Sequence, residues 1–189
     1  VALDFASSLE ALLLVDKLGD TVSFYKLGLE LLMTGDYFTL VAELKARGKR
    51  VFCDLKFYDI PETVKRAVAA TSKLGVDFCT IHFGNDDLIR QVNAVKGDMK
   101  ILAVAALTSL TQSDIEDQGL TCDIDDLVFR RSKRALELGC DGVISSGLEL
   151  PLLRNGLGDR FLVITPGIRP VANSDFQKRT VDALEAFAR

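Results

Sequence analysis

Seven short apolar runs alternate with stretches of helical spacing along the whole chain, and few folds accommodate that pattern. The runs cover residues 1–5, 23–28, 50–56, 78–83, 101–107, 142–146 and 161–168. Near-continuous apolar character marks strands covered on both faces, the environment of a parallel sheet. The intervening stretches carry helix signals. Ser7-Ser8-Leu9-Glu10 is a capping box that opens a helix over 9–18, closed by Gly19. Asp36 is placed to cap a helix that bears Phe38, Val41 and Leu44 and ends at Gly48. Pro61 suits the first turn of a helix with Val64, Val68 and Leu74 inward, ending at Gly75. A further helix is expected over 127–138. Leu74-Gly75-Val76-Asp77 and Leu138-Gly139-Cys140-Asp141 echo one another, each a helix end turning into a strand.

Repeated βα units predict either a (β/α)8 barrel or a doubly wound open sheet. The chain has no G-x-G-x-x-G after its first strand and no G-x-x-x-x-G-K-[ST], which disfavours dinucleotide and P-loop folds. The expected fold is therefore α/β, a (β/α)8 TIM barrel whose eighth strand is absent from the sequence. The 189 residues form one domain over 1–189 on this reading, C-terminally incomplete, because the chain stops inside the seventh helix. The lack of a starting Met points to a trimmed N-terminus.

Composition narrows the function. Twenty-three Lys and Arg against 27 Asp and Glu leave a net charge of −4, which gives no general footprint for nucleic acid or an anionic membrane. No apolar run approaches the ~18 residues of a membrane span, and no signal peptide is legible, so a cytoplasmic location is expected. Cys53, Cys79, Cys122 and Cys140 form no C-x-x-C pair and read as buried free thiols. His82 is the single histidine, so a two-histidine zinc site is excluded, and it reads as a structural strand-end residue.

Barrel enzymes work at the C-terminal ends of their strands, and charge stands at several of these ends. Asp4 ends the first run, Lys26 lies in the second, and Asp54 and Lys56 end the third, with Asp59 following. Asp54 and Lys56 are two apart, so on a strand both face the same way while Leu55 faces the other. Two carboxylates and two ammoniums then converge in an alternating Lys–Asp–Lys–Asp array. At ~4 Å and an effective dielectric near 20, each close pair attracts by about 4 kcal/mol. Charge buried at such a cost usually marks a site. After the seventh run, Thr165-Pro166-Gly167-Ile168-Arg169-Pro170 places a glycine turn and an Arg where barrels bind phosphate.

Asp54-Leu55-Lys56-Phe57-Tyr58-Asp59-Ile60-Pro61-Glu62-Thr63 carries a D-x-K-x-x-D signature that resembles the orotidine 5′-phosphate decarboxylase family. Further resemblances follow in order. They are Ala2-Leu3-Asp4, Phe24-Tyr25-Lys26-Leu27-Gly28, Leu107-Thr108-Ser109, and Pro166 to Pro170 with Gln177-Lys178-Arg179. The resemblance implies cofactor-free and metal-free decarboxylation of orotidine 5′-monophosphate to UMP, the last step of pyrimidine nucleotide synthesis. It implies that Lys56 protonates C6, that Asp54 lies beside the departing carboxylate, and that Lys26 and Asp4 hold the ribose hydroxyls. Asp59 and Thr63 would reach a neighbouring subunit's site in a homodimer. Thr108, rather than Ser109, would read the pyrimidine, and Arg169 and Gln177 would hold the phosphate. Tyr58 and Glu62 depart from the family's usual His and Asn, as does the Phe83-Gly84-Asn85 loop, and the eighth-strand Gly-Arg pair is missing. The rival expectations are a Mg²⁺-dependent sugar-phosphate decarboxylase or synthase of the same superfamily and a non-catalytic phosphate-binding barrel fragment.

Overall fold

The computed structural model describes residues 1–168, and the chain divides into two compact units. The first spans Val1–Ile81 with Gln91–Ile101; the second holds His82–Arg90 and the residues from Leu102 on. Seven strands are described, and within each unit strand order follows chain order, with parallel neighbours. Strands alternating with helices in this order are the βα repeat expected of the barrel class.

The first unit begins with β1 (Ala2–Leu3), α1 (Ser8–Leu18) and β2 (Phe24–Leu27). Ser7 caps α1 by accepting from the Glu10 N–H, and Gly19 ends it at a φ of 51°. Next come α2 (Leu29–Leu32) and α3 (Tyr37–Ala46). One sequence expectation fails at α3. Asp36 stands at its N-cap position, but its carboxylate accepts from the Ser8 hydroxyl at 3.1 Å rather than capping the helix. Phe38 is 56% exposed, and the inward residues are Tyr37, Leu40, Val41 and Leu44. The i, i+3, i+4, i+7 stripe runs over 37, 40, 41 and 44, which leaves Phe38 off the inward face. The Tyr37 hydroxyl donates to the Leu27 carbonyl, which fixes the true inward position.

The unit continues with β3 (Arg50–Phe57), α4 (Pro61–Ser72) and β4 (Phe78–His82, the last residue belonging to the second unit). Pro61 opens α4, as the sequence predicts, but the helix ends before Leu74, and its third buried position is Thr71. Strands β2 to β4 are locked near their N-terminal ends. Phe24, Phe52 and Phe78 form an aromatic cluster with centroids 5.3–6.5 Å apart. The Arg50 guanidinium lies over the Phe24 and Phe78 rings. Asp77 accepts from Lys45 Nζ at 2.9 Å, the Val51 N–H at 2.8 Å and Arg50 Nε at 3.4 Å.

Burial alone would raise the Asp77 carboxyl, but the Val51 N–H and the Lys45 and Arg50 cations outweigh it and hold it below the usual carboxylate range. A depressed folded-state pKa stabilises the protein above the unfolded pKa, and that stability is lost as pH falls through the folded value. Asp77→Asn is therefore expected to cost about 1–3 kcal/mol at pH 7. Urea titrations of both proteins at pH 7 and near pH 3 check this: the gap should shrink in acid, and a gap independent of pH would contradict the assignment.

Two elements, α5 (Asp86–Asn93) and β5 (Lys100–Val104), are divided between the units. The second unit continues with α6 (Gln112–Asp117), α7 (Ile124–Glu137), β6 (Gly142–Ile144), α8 (Leu150–Leu157) and β7 (Leu162–Ile164). Thr111 and Asp114 form a reciprocal capping box on α6. A side chain at Gly142 would collide with the Leu162 main chain, so β6 and β7 approach closely only because that position is glycine. Arg134 bridges Asp86 and Glu137, and the Arg131 guanidinium donates to the Ala105 carbonyl at 2.8 Å and lies over the Phe83 ring. No helix among the described residues is long and apolar enough to cross a membrane.

Candidate active site

The C-terminal ends of the first three strands gather charge within the first unit. Lys26 alternates with buried Tyr25 and Leu27 on β2, which turns its side chain to the opposite face from theirs. Its Nζ lies 3.0 Å from Asp4 Oδ1, just past β1, and 3.7 Å from Asp54 Oδ2 on β3. Asp54 Oδ1 accepts in turn from Lys56 Nζ at 2.8 Å. The four groups thus run Asp4, Lys26, Asp54, Lys56, and Asp54 touches both ammoniums. Asp54 is the most enclosed, with 13% of its side chain exposed against 62% for Asp4.

Lys56 does not sit on a regular strand. The β3–β4 register shifts between Cys53 and Phe57, and Lys56 takes a φ of 48°. It is the only non-glycine residue with positive φ among the described residues. A left-handed conformation at a residue bearing a Cβ costs on the order of 1–3 kcal/mol and persists only where its surroundings impose it. The surroundings here include Thr80 on β4, whose Oγ1 accepts from the Lys56 N–H at 2.9 Å and donates to Asp54 Oδ1 at 2.9 Å. Thr80 is fully buried. Sequence reasoning missed it, and its one signal was a hydroxyl in the middle of an apolar strand.

The other predicted residues lie elsewhere. Asp59 and Thr63 are exposed: the Asp59 carboxylate accepts from the next residue's N–H, that of Ile60, at 2.6 Å, and Thr63 is in the first turn of α4. Tyr58 and Ile60, which flank Asp59, are 69% and 67% exposed. Thr108 is buried in the loop after β5 in the second unit, Ser109 is half-buried beside it, and His82 is half-buried at the end of β4. Arg169 and Gln177 lie outside the described residues, as does the rest of the phosphate region after Ile168.

All four cysteines are free; Cys53, Cys79 and Cys140 are buried, whereas Cys122 is half-buried, contrary to the sequence reading. Burial pushes the Cys53 thiol up to about 11 and raises Cys79 as well, so neither is a ready nucleophile. No group of three or more His, Cys, Asp or Glu side chains among the described residues is placed to hold a metal ion. What the four-charge group offers is a fixed, alternating field with an ammonium at one end, suited to stabilising negative charge on a small ligand and giving it a proton.

The chain is similar to known proteins along its whole length. The model of the orotidine 5′-phosphate decarboxylase / HUMPS family matches residues 1–189. The chain is 56% identical over 189 residues to a protein of Methylococcus capsulatus named orotidine 5′-phosphate decarboxylase, covering 99% of this chain and 78% of that protein. A protein of the same name from Nitrobacter winogradskyi is 46% identical over 190 residues, again covering 99% and 78%. Among solved structures, an orotidine 5′-phosphate decarboxylase from Lactobacillus acidophilus superposes with a TM-score of 0.82 at 34% identity, covering 89% of this chain and 80% of that one. With a family model spanning every residue, relatives above 40% identity and a matching βα fold, the chain belongs to the orotidine 5′-phosphate decarboxylase / HUMPS family.

Proposed function

We propose that the chain decarboxylates orotidine 5′-monophosphate to UMP and CO₂, completing pyrimidine nucleotide synthesis, without metal or cofactor. The observation that carries this reading is the Lys56 ammonium held 2.8 Å from the Asp54 carboxylate at the end of β3. As the C6–carboxylate bond breaks, its electron pair stays on C6. Lys56 Nζ stabilises that pair and then transfers a proton to it, leaving UMP, CO₂ and a neutral amine that solvent reprotonates. Asp54 lies beside the departing carboxylate. Its main contribution is to hold Lys56 and Lys26 in a preorganised field, a firmer basis than ground-state repulsion, which is contested.

Lys26 and Asp4 orient the ribose hydroxyls, and Thr108 reads the pyrimidine ring. Asp59 and Thr63 complete the site of a partner in a homodimer. Arg169 and Gln177 hold the phosphate, whose remote binding energy is available for orientation and closure. The metal-free reading is supported by Lys26, which stands between Asp4 and Asp54 and supplies in fixed form the charge that a Mg²⁺ ion would bring to two carboxylates. The test is ultraviolet absorbance of orotidine 5′-monophosphate with the purified protein, with and without EDTA. Equal loss of substrate in both is expected. No loss overturns the reading, and loss only without EDTA transfers the site to the Mg²⁺-dependent branch.

A further inference from the structure

We infer that Thr80 is a positioning residue for the decarboxylation, its hydroxyl setting the place of the Lys56 ammonium through two hydrogen bonds at once. The inference rests on the reading of Lys56 as the proton donor.

Thr80 is the central residue of β4, between Cys79 and Ile81, and all three are fully buried. A hydroxyl in such surroundings is unfavourable unless both its donor and its acceptor capacity are used. Both are used on the same neighbouring segment. Oγ1 donates to Asp54 Oδ1, the oxygen that also receives Lys56 Nζ. The same Oγ1 accepts from the Lys56 main-chain N–H, in the stretch where the β3–β4 register shifts and Lys56 turns to positive φ. A closed ring results: Thr80 hydroxyl, Asp54 carboxylate, Lys56 ammonium and Lys56 backbone.

Two freedoms are removed by one side chain. The first is rotation of the Asp54 carboxylate, which aims the ammonium. The second is relaxation of the Lys56 backbone back to an extended strand, which would swing the whole side chain. A valine has nearly the same shape but neither hydrogen bond, and it would leave the half-buried Lys56 N–H without its acceptor. Displacements near 1 Å at a reacting group cost about 100-fold in rate. The loss should fall on the chemical step rather than on nucleotide binding, because no substrate-binding role attaches to Thr80.

The experiment measures kcat, KM, UMP affinity by calorimetry and melting temperature for the native protein, Thr80→Ser, Thr80→Val and Thr80→Ala. Thr80→Val is expected to lower kcat about 100-fold with KM and UMP affinity within about threefold, and Thr80→Ser to stay within about fivefold of native. Should Thr80→Val not fold, Thr80→Ala carries the same expectation. The inference is overturned if a folded variant lacking the hydroxyl keeps native kcat, if Thr80→Ser loses as much as Thr80→Val, or if UMP affinity falls in step with kcat. It is also overturned if neither hydroxyl-free variant folds while Thr80→Ser does, for the hydroxyl then serves folding. A native protein that does not turn over orotidine 5′-monophosphate sinks the underlying reading instead, and the inference with it.

Discussion

Replacing Lys56 with alanine is expected to abolish turnover of orotidine 5′-monophosphate while the protein still folds and still binds UMP. The change removes the proton donor and the cation facing the developing C6 carbanion together. Proton transfer by a positioned group contributes about 10²–10⁴-fold, and a preorganised charge at the reacting centre about 10²–10³-fold more. The combined loss should therefore exceed ~10⁴-fold. The substitution is clean in this backbone. Alanine carries the same Cβ as lysine, so the strain at φ 48° is unchanged, and its N–H still reaches the Thr80 hydroxyl. Asp54 keeps Thr80 and Lys26 as partners. Steady-state absorbance at high protein concentration gives the rate, and calorimetry gives UMP affinity. Turnover within tenfold of native would remove Lys56 from the acid role.

Mixing Lys56→Ala with Asp59→Ala should restore activity that neither variant has alone. Asp59 is exposed and accepts from the Ile60 N–H, outside the group formed by Asp4, Lys26, Asp54 and Lys56 of its own chain. If each site draws Lys56 from one chain and Asp59 from the other, a hybrid dimer has one intact site and one doubly defective site. An isologous dimer exchanged to equilibrium at equal concentrations is half hybrid, so about a quarter of native activity should return. The check is the rate after subunit exchange confirmed by mixed-tag pull-down. Confirmed exchange without recovery would place Asp59 outside any shared site.

Much of the site was legible because charge is conspicuous where apolar strands end. Asp4, Lys26, Asp54 and Lys56 are spread over more than fifty positions, yet parallel strands in chain order bring their ends together. Fold class followed from the apolar runs and the glycine-closed helices. Strand lengths did not: β1, β5, β6 and β7 are shorter than their apolar runs, because residues such as Ala105 and Ala106 remain buried past the last ladder pair. The bulge at Lys56 was also hidden. Simple alternation already puts residues 54 and 56 on one face, so the sequence showed no need for a distorted backbone. Thr80 escaped for a related reason. Its importance lies in a cross-strand hydrogen bond to a main-chain N–H, and a threonine inside an apolar run looks like any β-branched strand residue.

The clamp formed by Arg50, Asp77 and the Phe24, Phe52 and Phe78 rings sits at the opposite end of the strands from the four charges. Rigidity and reactivity are thus assigned to opposite ends of neighbouring strands, the clamp on β2 to β4 and the charges on β1 to β3. An engineer could harden the molecule against heat by reworking that distal cluster while leaving the turnover of each folded copy untouched. Drift at the distal end would conversely show first as fewer surviving molecules, not as slower ones.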